Sequence, residues 1–267
     1  MSFHVFRAGE DPGPNFAELL RRDQVPIEIP VNQNVGEVRH GTTIAALRYQ
    51  GGVVMAGDRR ATEGNIIAHR SIEKVFPADR FSAVAIAGAA GPAIEMVRLF
   101  QTQLEHYEKV EGLTLSLEGK ANQLSQMVRI HLPMAMQGLG VVPLFAGWDD
   151  RRDLGRIFTY DITGGRYEET EFAATGSGGR DARTTIKLGY REGLARDAAV
   201  SLAVEALYQA AEEDSATGGP DPIRGIYPIV ATVDSTGFQM VSESEVGELF
   251  AGILERRASL YRSGDLS

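Results

Sequence analysis

The amino-acid sequence predicts an α+β fold in which two sheets are sandwiched between pairs of helices. Three observations carry this expectation. Strand-like and helix-like runs come in groups, in the order strands, two helices, strands, two helices, strands, not in the strict alternation of a doubly wound fold. The helical stretches carry apolar stripes at spacings of three and four, so each has one face to bury. No repeat or internal linker interrupts residues 42–267, which predicts one domain there, and 267 residues suffice to bury a large core.

Residues 1–41 stand apart. They hold four of the eleven prolines (Pro12, Pro14, Pro26 and Pro30) and no sustained apolar period, and "NFAELLRR" allows one or two helical turns at most. Such a composition fits a disordered tail. It also fits a removable prosegment, and the residues from Gly41 onward decide between the two.

From Thr42 the pattern becomes firm. "TTIAALRY" and "VVMAG" read as strands joined by "QGG", which suits a tight hairpin turn. "NIIAH", "EKVF" and "FSAVAIAG" are three further strand-like runs. Ala93, Val97, Phe100, Leu104 and Tyr107 then place an apolar stripe on one face of a helix. A second helical stretch covers residues 117–138, where Pro133 is expected to kink the helix or end it early. "VVPLFAGW" and "RIFTYDITG" return to strands, with "EETEFAATG" as a third. Helical patterns resume near residues 180–190 and again from Asp197, where Val200, Val204, Leu207 and Ala211 share a face. "YPIVATVD" and "GFQMV" make the last strands, and "SEVGELFAGILERR" the last helix.

Composition removes several classes of function. Net charge is −9 with no Lys/Arg run, which argues against a nucleic-acid partner or an anionic membrane surface. The absence of cysteine removes disulfides and thiolate chemistry. "MSFHVFRAGEDPG" has no apolar core of a secretory signal and nothing reaches transmembrane length, so the expected location is cytoplasmic. The five histidines form no metal-ligand pattern. "GSGGRDART" lacks the lysine of a P-loop and the third glycine of a dinucleotide fingerprint, and Ser177 fails the G-x-S-x-G pattern.

The stretch "HGTTI" at residues 40–44 offers a different chemistry. An internal threonine is a poor nucleophile, because nothing removes its proton. An N-terminal threonine carries its own base, an α-amine with an unperturbed pKa of about 7.7–8.0. Cleavage after Gly41 would create that group from Thr42, and a glycine before the bond gives the backbone freedom to bring the hydroxyl to the Gly41 carbonyl.

Three further motifs can serve this centre. With the hairpin turn at Gln50–Gly51, Thr43 faces Asp58, and opposed residues lie roughly 5 Å apart. Alone, "AGDRRAT" also reads as a polar turn after a strand. Lys74 in "IEKVF" either points outward from an alternating strand or inward, where Asp58 is its counter-ion. An inward ammonium would lower the α-amine pKa and stabilise a threonine alkoxide. "IAGAAGPA" ends a strand at Gly88 and opens a helix near Pro92. It is either a plain turn or a bare N–H for an oxyanion, the latter worth about 3–4 kcal/mol in a transition state.

With these residues assembled, the sequence resembles the β-subunits of 20S proteasomes, most closely the bacterial (actinobacterial) type, within the N-terminal-nucleophile hydrolase superfamily. The similarity covers nearly all of residues 40–255. It rests on "HGTTIAALRYQGGVVMAGDRRAT", the lysine of "EKVF", "IAGAAG", "QLEHYEK" at residues 103–109, "GSG", and "EEDSATGGPD" at residues 212–221.

The resemblance implies a four-layer αββα sandwich of two antiparallel sheets between helix layers. It implies a prosegment at residues 1–41, cut at Gly41–Thr42, ahead of a domain at residues 42–267. Thr42 would be the nucleophile, Asp58 and Lys74 the acid–lysine pair, and Gly88 the oxyanion donor. Ser177 and Asp214 would hold the α-amine, joined by Thr217 where many relatives carry serine. Ala61, Ile72, Ile86 and Ala90 would line an apolar substrate pocket, and Thr62 would offer main-chain bonds to an extended peptide. The implied activity is that of a threonine endopeptidase needing neither metal nor organic cofactor. The implied partners are α-subunits, other β-subunits in heptameric rings, an ATP-dependent ring unfoldase, and unfolded or tagged protein substrates. The alternatives are a non-catalytic structural subunit of the same particle and a simpler bacterial ATP-dependent protease. The Gly41–Thr42 junction and the Asp58/Lys74 pair argue against the first. "GDRRAT" and residues 1–41 argue against the second.

Overall fold

The computed structural model describes residues 41–64 and 66–263. The expected prosegment at residues 1–41 therefore lies outside the described residues, apart from Gly41. The chain opens with β1 (Thr43–Tyr49), β2 (Gly52–Gly57), β3 (Ala61–Glu63), β4 (Ile66–His69), β5 (Val75–Asp79) and β6 (Ser82–Gly88). Helices α1 (Ala90–Glu111), α2 (Leu117–Ile130) and the short α3 (Leu132–Ala135) come next. Then come β7 (Val141–Asp149), β8 (Leu154–Tyr160), β9 (Arg166–Glu169) and β10 (Phe172–Gly176). Helices α4 (Gly179–Gly189) and α5 (Arg196–Glu213), strands β11 (Ile229–Asp234) and β12 (Gly237–Met240), and α6 (Glu243–Ser263) complete the order.

Two five-stranded antiparallel sheets result. One runs β10-β1-β2-β11-β12 and the other β5-β6-β7-β8-β9. Three apolar cores stack through the molecule. Ile44, Met55, Leu144 and Ile157 pack between the sheets. Val54, Ile186, Leu207 and Phe250 pack the first sheet under α4, α5 and α6. Phe100, Leu124, Phe145 and Phe158 pack the second under α1 and α2. Strands β1 and β2 are buried on both faces, so they read as near-continuous apolar runs. This is the αββα sandwich of the α+β class.

Most elements fall where the sequence places them, and the differences have physical causes. α1 buries Ala93, Met96, Val97, Phe100 and Leu104. Tyr107 is 39% exposed, because none of the described residues covers the last turns at residues 105–111. α2 stops at Ile130, and Pro133 sits in the first turn of the separate α3, where its missing N–H costs no hydrogen bond. Ala211 is only half-buried, at the edge of the face that Val200, Val204 and Leu207 share. The run "EETEFAATG" is not one strand. Its first half pairs with β8 in one sheet, and its second half pairs with β1 in the other. The short β3 is not anticipated by any strand pattern, since its residues lie in a turn-like polar stretch.

Candidate active site

The hairpin register builds the first part of the site. β1 and β2 pair Ile44 with Gly57 and Tyr49 with Gly52, so the turn is Gln50–Gly51, with Gly51 at φ 92°. One step beyond the ladder, the Asp58 N–H donates to the Thr43 carbonyl at 3.1 Å. The Thr43 N–H donates to Asp58 Oδ1 at 2.8 Å in return. Asp58 thus stands opposite Thr43, as the turn position predicts. Its other oxygen accepts from the N–H groups of Arg60 at 2.9 Å and Gly218 at 2.8 Å. These bonds replace the water that a fully buried carboxylate loses.

Lys74 points inward and is 4% exposed. It stands just ahead of β5, where its carbonyl accepts from the Ile86 N–H at 3.0 Å. Three oxygens surround Nζ: Asp58 Oδ1 at 2.6 Å, the Arg60 carbonyl at 2.6 Å and the Gly41 carbonyl at 3.5 Å. That is one acceptor for each ammonium proton. Burial pushes the Lys74 pKa below its ordinary 10.5, and the attraction of Asp58 opposes the shift without cancelling it.

Thr42 is buried between this pair and a chain of hydroxyls. Its own hydroxyl donates to the Gly41 carbonyl at 2.7 Å. Its N–H donates to Ser177 Oγ at 3.1 Å, and Ser177 donates onward to Asp214 Oδ2. The same carboxylate oxygen accepts from Thr217 Oγ1 at 2.6 Å, and Thr217 lies 2.6 Å from the Thr43 hydroxyl. Burial raises the Asp214 pKa, but the bonds from Ser177, Thr217 and the Ala216 N–H outweigh it and hold the carboxyl below its ordinary value. Pairing of Thr43 with Gly176 brings Ser177 to Thr42. Gly176 has φ 97°, and a Cβ there would lie 1.9 Å from the Thr42 carbonyl oxygen, so only glycine fits.

A narrow cleft opens beside Thr42. All five positions expected to hold substrate (Ala61, Thr62, Ile72, Ile86 and Ala90) line it. Gly88 lines it too, at φ 114°, where a Cβ would meet the Gly140 carbonyl oxygen at 2.1 Å. Among the described residues the Gly88 N–H makes no bond to the Gly41 carbonyl, which is met instead by Thr42 and Lys74. The Gly41 N–H donates to Thr62 Oγ1 at 3.3 Å, so the residue before the bond lies along the cleft wall. No group of three or more His, Asp or Glu side chains is placed to hold a metal ion among the described residues. No described helix is long and apolar enough to cross a membrane.

A protein-family profile described as "Proteasome subunit" matches residues 38–223, a stretch that contains every residue of this site. The chain belongs to the proteasome subunit family. A protein named "Proteasome subunit beta" from Acidimicrobium ferrooxidans is 63% identical over 93% of this chain and 92% of its own length. One of the same name from Streptomyces griseus is 58% identical over 92% of this chain and 90% of its own. A third, from Acidothermus cellulolyticus, is 55% identical over 91% and 86%. The match places the chain in a family of peptidases.

This proteasome-family site includes groups that sequence reasoning does not single out. Arg60 and Gly218 serve Asp58 and Lys74 through main-chain atoms, which carry no residue signature. The Thr43 hydroxyl links Thr217 to the Gly178 N–H, although a second threonine at a strand head looks ordinary. Ala93 and Ile94 line the cleft with Ala90. Their spacing of three and four from Ala90 on one helix face was the available signal.

Proposed function

We propose that this chain is a threonine-type endopeptidase subunit of a proteasome core, made as a precursor that cuts itself between Gly41 and Thr42. One observation carries the reading: the Thr42 hydroxyl lies 2.7 Å from the carbonyl oxygen of the preceding residue, and the buried Lys74 lies 3.5 Å from that same oxygen. Self-cleavage begins as Thr42 Oγ bonds to the Gly41 carbonyl carbon. The charged Lys74 stabilises the negative oxygen that forms, at a point where such a donor is worth about 3–4 kcal/mol. The C–N bond then breaks, the hydroxyl proton passes through solvent to the departing Thr42 nitrogen, and an ester joins Gly41 to Thr42. Water hydrolyses that ester. Residues 1–41 leave with a carboxylate, and Thr42 keeps its hydroxyl and gains a free amine.

The freed amine becomes the base for substrate peptides. Ser177 is placed to hold it, with Asp214 and Thr217 orienting Ser177. Lys74 lowers the amine pKa, so more of the amine is neutral at working pH. Thr42 Oγ attacks the scissile carbonyl, an acyl-enzyme forms as the amine passes its proton to the leaving nitrogen, and water resolves it. In this step Gly88 is the candidate oxyanion donor for a substrate carbonyl. A cleft walled by Ala61, Ile72, Ile86 and Ala90 favours an apolar residue before the cut. The partners that go with this reading are other β-subunits and α-subunits of a heptameric-ring core, fed with unfolded or tagged proteins by an ATP-dependent ring unfoldase.

The test is intact-mass analysis and N-terminal sequencing of the assembled particle, alongside hydrolysis of fluorogenic peptides with apolar residues before the cut. Loss of residues 1–41, abolished by Thr42→Ala, is the expected result. An active particle that begins with any residue other than Thr42 overturns the reading. An assembled, uncut and inert particle favours the structural subunit.

A further inference from the structure

A second open cleft lies next to the Thr42 cleft in the chain, with Arg60 in its wall directly before Ala61 of the first. Arg59, Arg60 and Arg70 line it together with Tyr227 and the backbone of Gly218 and Gly219. Three guanidinium groups around one cleft invert the local charge of a chain whose net charge is −9. Two carboxylates lie nearby, and they leave the cleft with a positive excess. Asp221 in the cleft wall is taken by Arg224, through both its N–H and its side chain. Glu243 pairs with Arg59 Nη1 at 2.7 Å but is itself 67% exposed. Arg60 spends its Nη1 on a neutral acceptor, the Ser215 carbonyl at 2.8 Å.

Two donors are left over. Arg59 Nε is buried and has no hydrogen-bond partner among the described residues. Arg70 is exposed and makes no ion pair or hydrogen bond with them. Buried donors in folded proteins nearly always find an acceptor, and a guanidinium fork matches the two oxygens of an oxyanion.

We propose that this cleft is an anion-binding site, with Arg59 and Arg70 holding a carboxylate or phosphate-class oxyanion. The same chemistry has two sources: an acidic side chain of a peptide, or a free ion. The site lies against the catalytic pair, because the Arg60 main chain holds both Asp58 and Lys74.

Calorimetric titration of the assembled full-length particle tests this at constant ionic strength, with inorganic phosphate and with tetraglutamate as separate probes. Binding is read without any peptidase activity, so its outcome is distinct from that of the proposed function. Wild type should bind at least one probe saturably. Arg70→Gln should weaken binding about tenfold, the scale of one charge-assisted hydrogen bond, and Arg70→Glu should weaken it further. Tighter binding of tetraglutamate than of phosphate assigns the site to acidic peptides, and the reverse assigns it to a free ion. Because Arg70 is exposed and has no partner among the described residues, neither substitution removes a contact seen in the fold. The proposal is overturned if neither probe binds saturably, or if the two Arg70 variants bind as wild type does.

Discussion

Lys74 Nζ and Asp58 Oδ1 lie 2.6 Å apart, with both side chains sealed from solvent. Removing one member of a buried pair strands the other charge, which costs about 3–5 kcal/mol. Lys74→Ala should lower unfolding stability on that scale in chemical denaturation, softened by the three N–H groups that still reach Asp58. It should also leave the Gly41–Thr42 bond intact by mass. A Lys74→Ala chain that cuts itself at the wild-type rate would remove Lys74 from the mechanism.

The direction of the Lys74 shift sets a pH dependence. Burial lowers its pKa, so it loses its proton below the ordinary 10.5. In the proposed self-cleavage the charged form faces the Gly41 oxygen, so the rate should fall on the alkaline side with a midpoint below that value. The mature enzyme should add an acid limb, where the Thr42 amine is protonated, at a pH under the unperturbed range of about 7.7–8.0. Rate profiles of precursor and mature particle, recorded separately, measure both limbs.

Hydroxyl chemistry at residue 42 should tolerate serine but not alanine. Thr42→Ser keeps the oxygen that contacts the Gly41 carbonyl, and the precursor should still mature. Thr42→Ala should retain residues 1–41 indefinitely. Mass spectrometry over time distinguishes them, and equal maturation of both variants would refute the nucleophile assignment.

Asp214 makes an acid-sensitive contribution to stability. Its pKa is held below the ordinary value of 3.8 in the folded chain, so its stabilising effect is present above that pH and is lost as pH falls through the lowered value. The melting-temperature gap between wild type and Asp214→Asn should be widest above about pH 5 and close in stronger acid. A gap that does not vary with pH would show that the carboxylate's charge is not what Ser177 and Thr217 respond to.

Gly88→Ala should be damaging out of proportion to one methyl group. The residue holds φ 114°, and the added Cβ would meet the Gly140 carbonyl at 2.1 Å. Backbone strain of this kind costs about 1–3 kcal/mol, and relief by movement would reshape the Thr42 cleft. Denaturation together with peptide hydrolysis tests it, and unchanged values in both would contradict the geometry.

Much of the site is legible in the amino-acid order alone. A two-residue turn at Gln50–Gly51 dictates strand register, and register alone places Asp58 opposite Thr43. Glycine at residue 41 is likewise legible, and its structural reason is contact: a Cβ there would collide with Ala216 at 1.9 Å. Other features carry no such signal. The alternation around Lys74 allows either face, and only the packing of β5 against β6 turns the side chain to Asp58. The meeting of Ser177 with Asp214, 37 residues later, came from resemblance and not from any local pattern.

Local periodicity therefore determined which residues face inward within each element, because side-chain direction repeats along a strand or helix. It determined the order of elements, and with it the layered class. Only tertiary structure decided which sheet each strand joins. β9 and β10 form one strand-like run in sequence, yet the chain breaks between them where Arg48 bonds to the Thr170 and Glu171 carbonyls, and each half enters a different sheet. Both halves satisfy the same alternation rule, and partner choice depends on contacts far along the chain. The convergence of Thr42, Lys74 and Ser177 belongs to that second category, set by contacts between residues far apart in the chain.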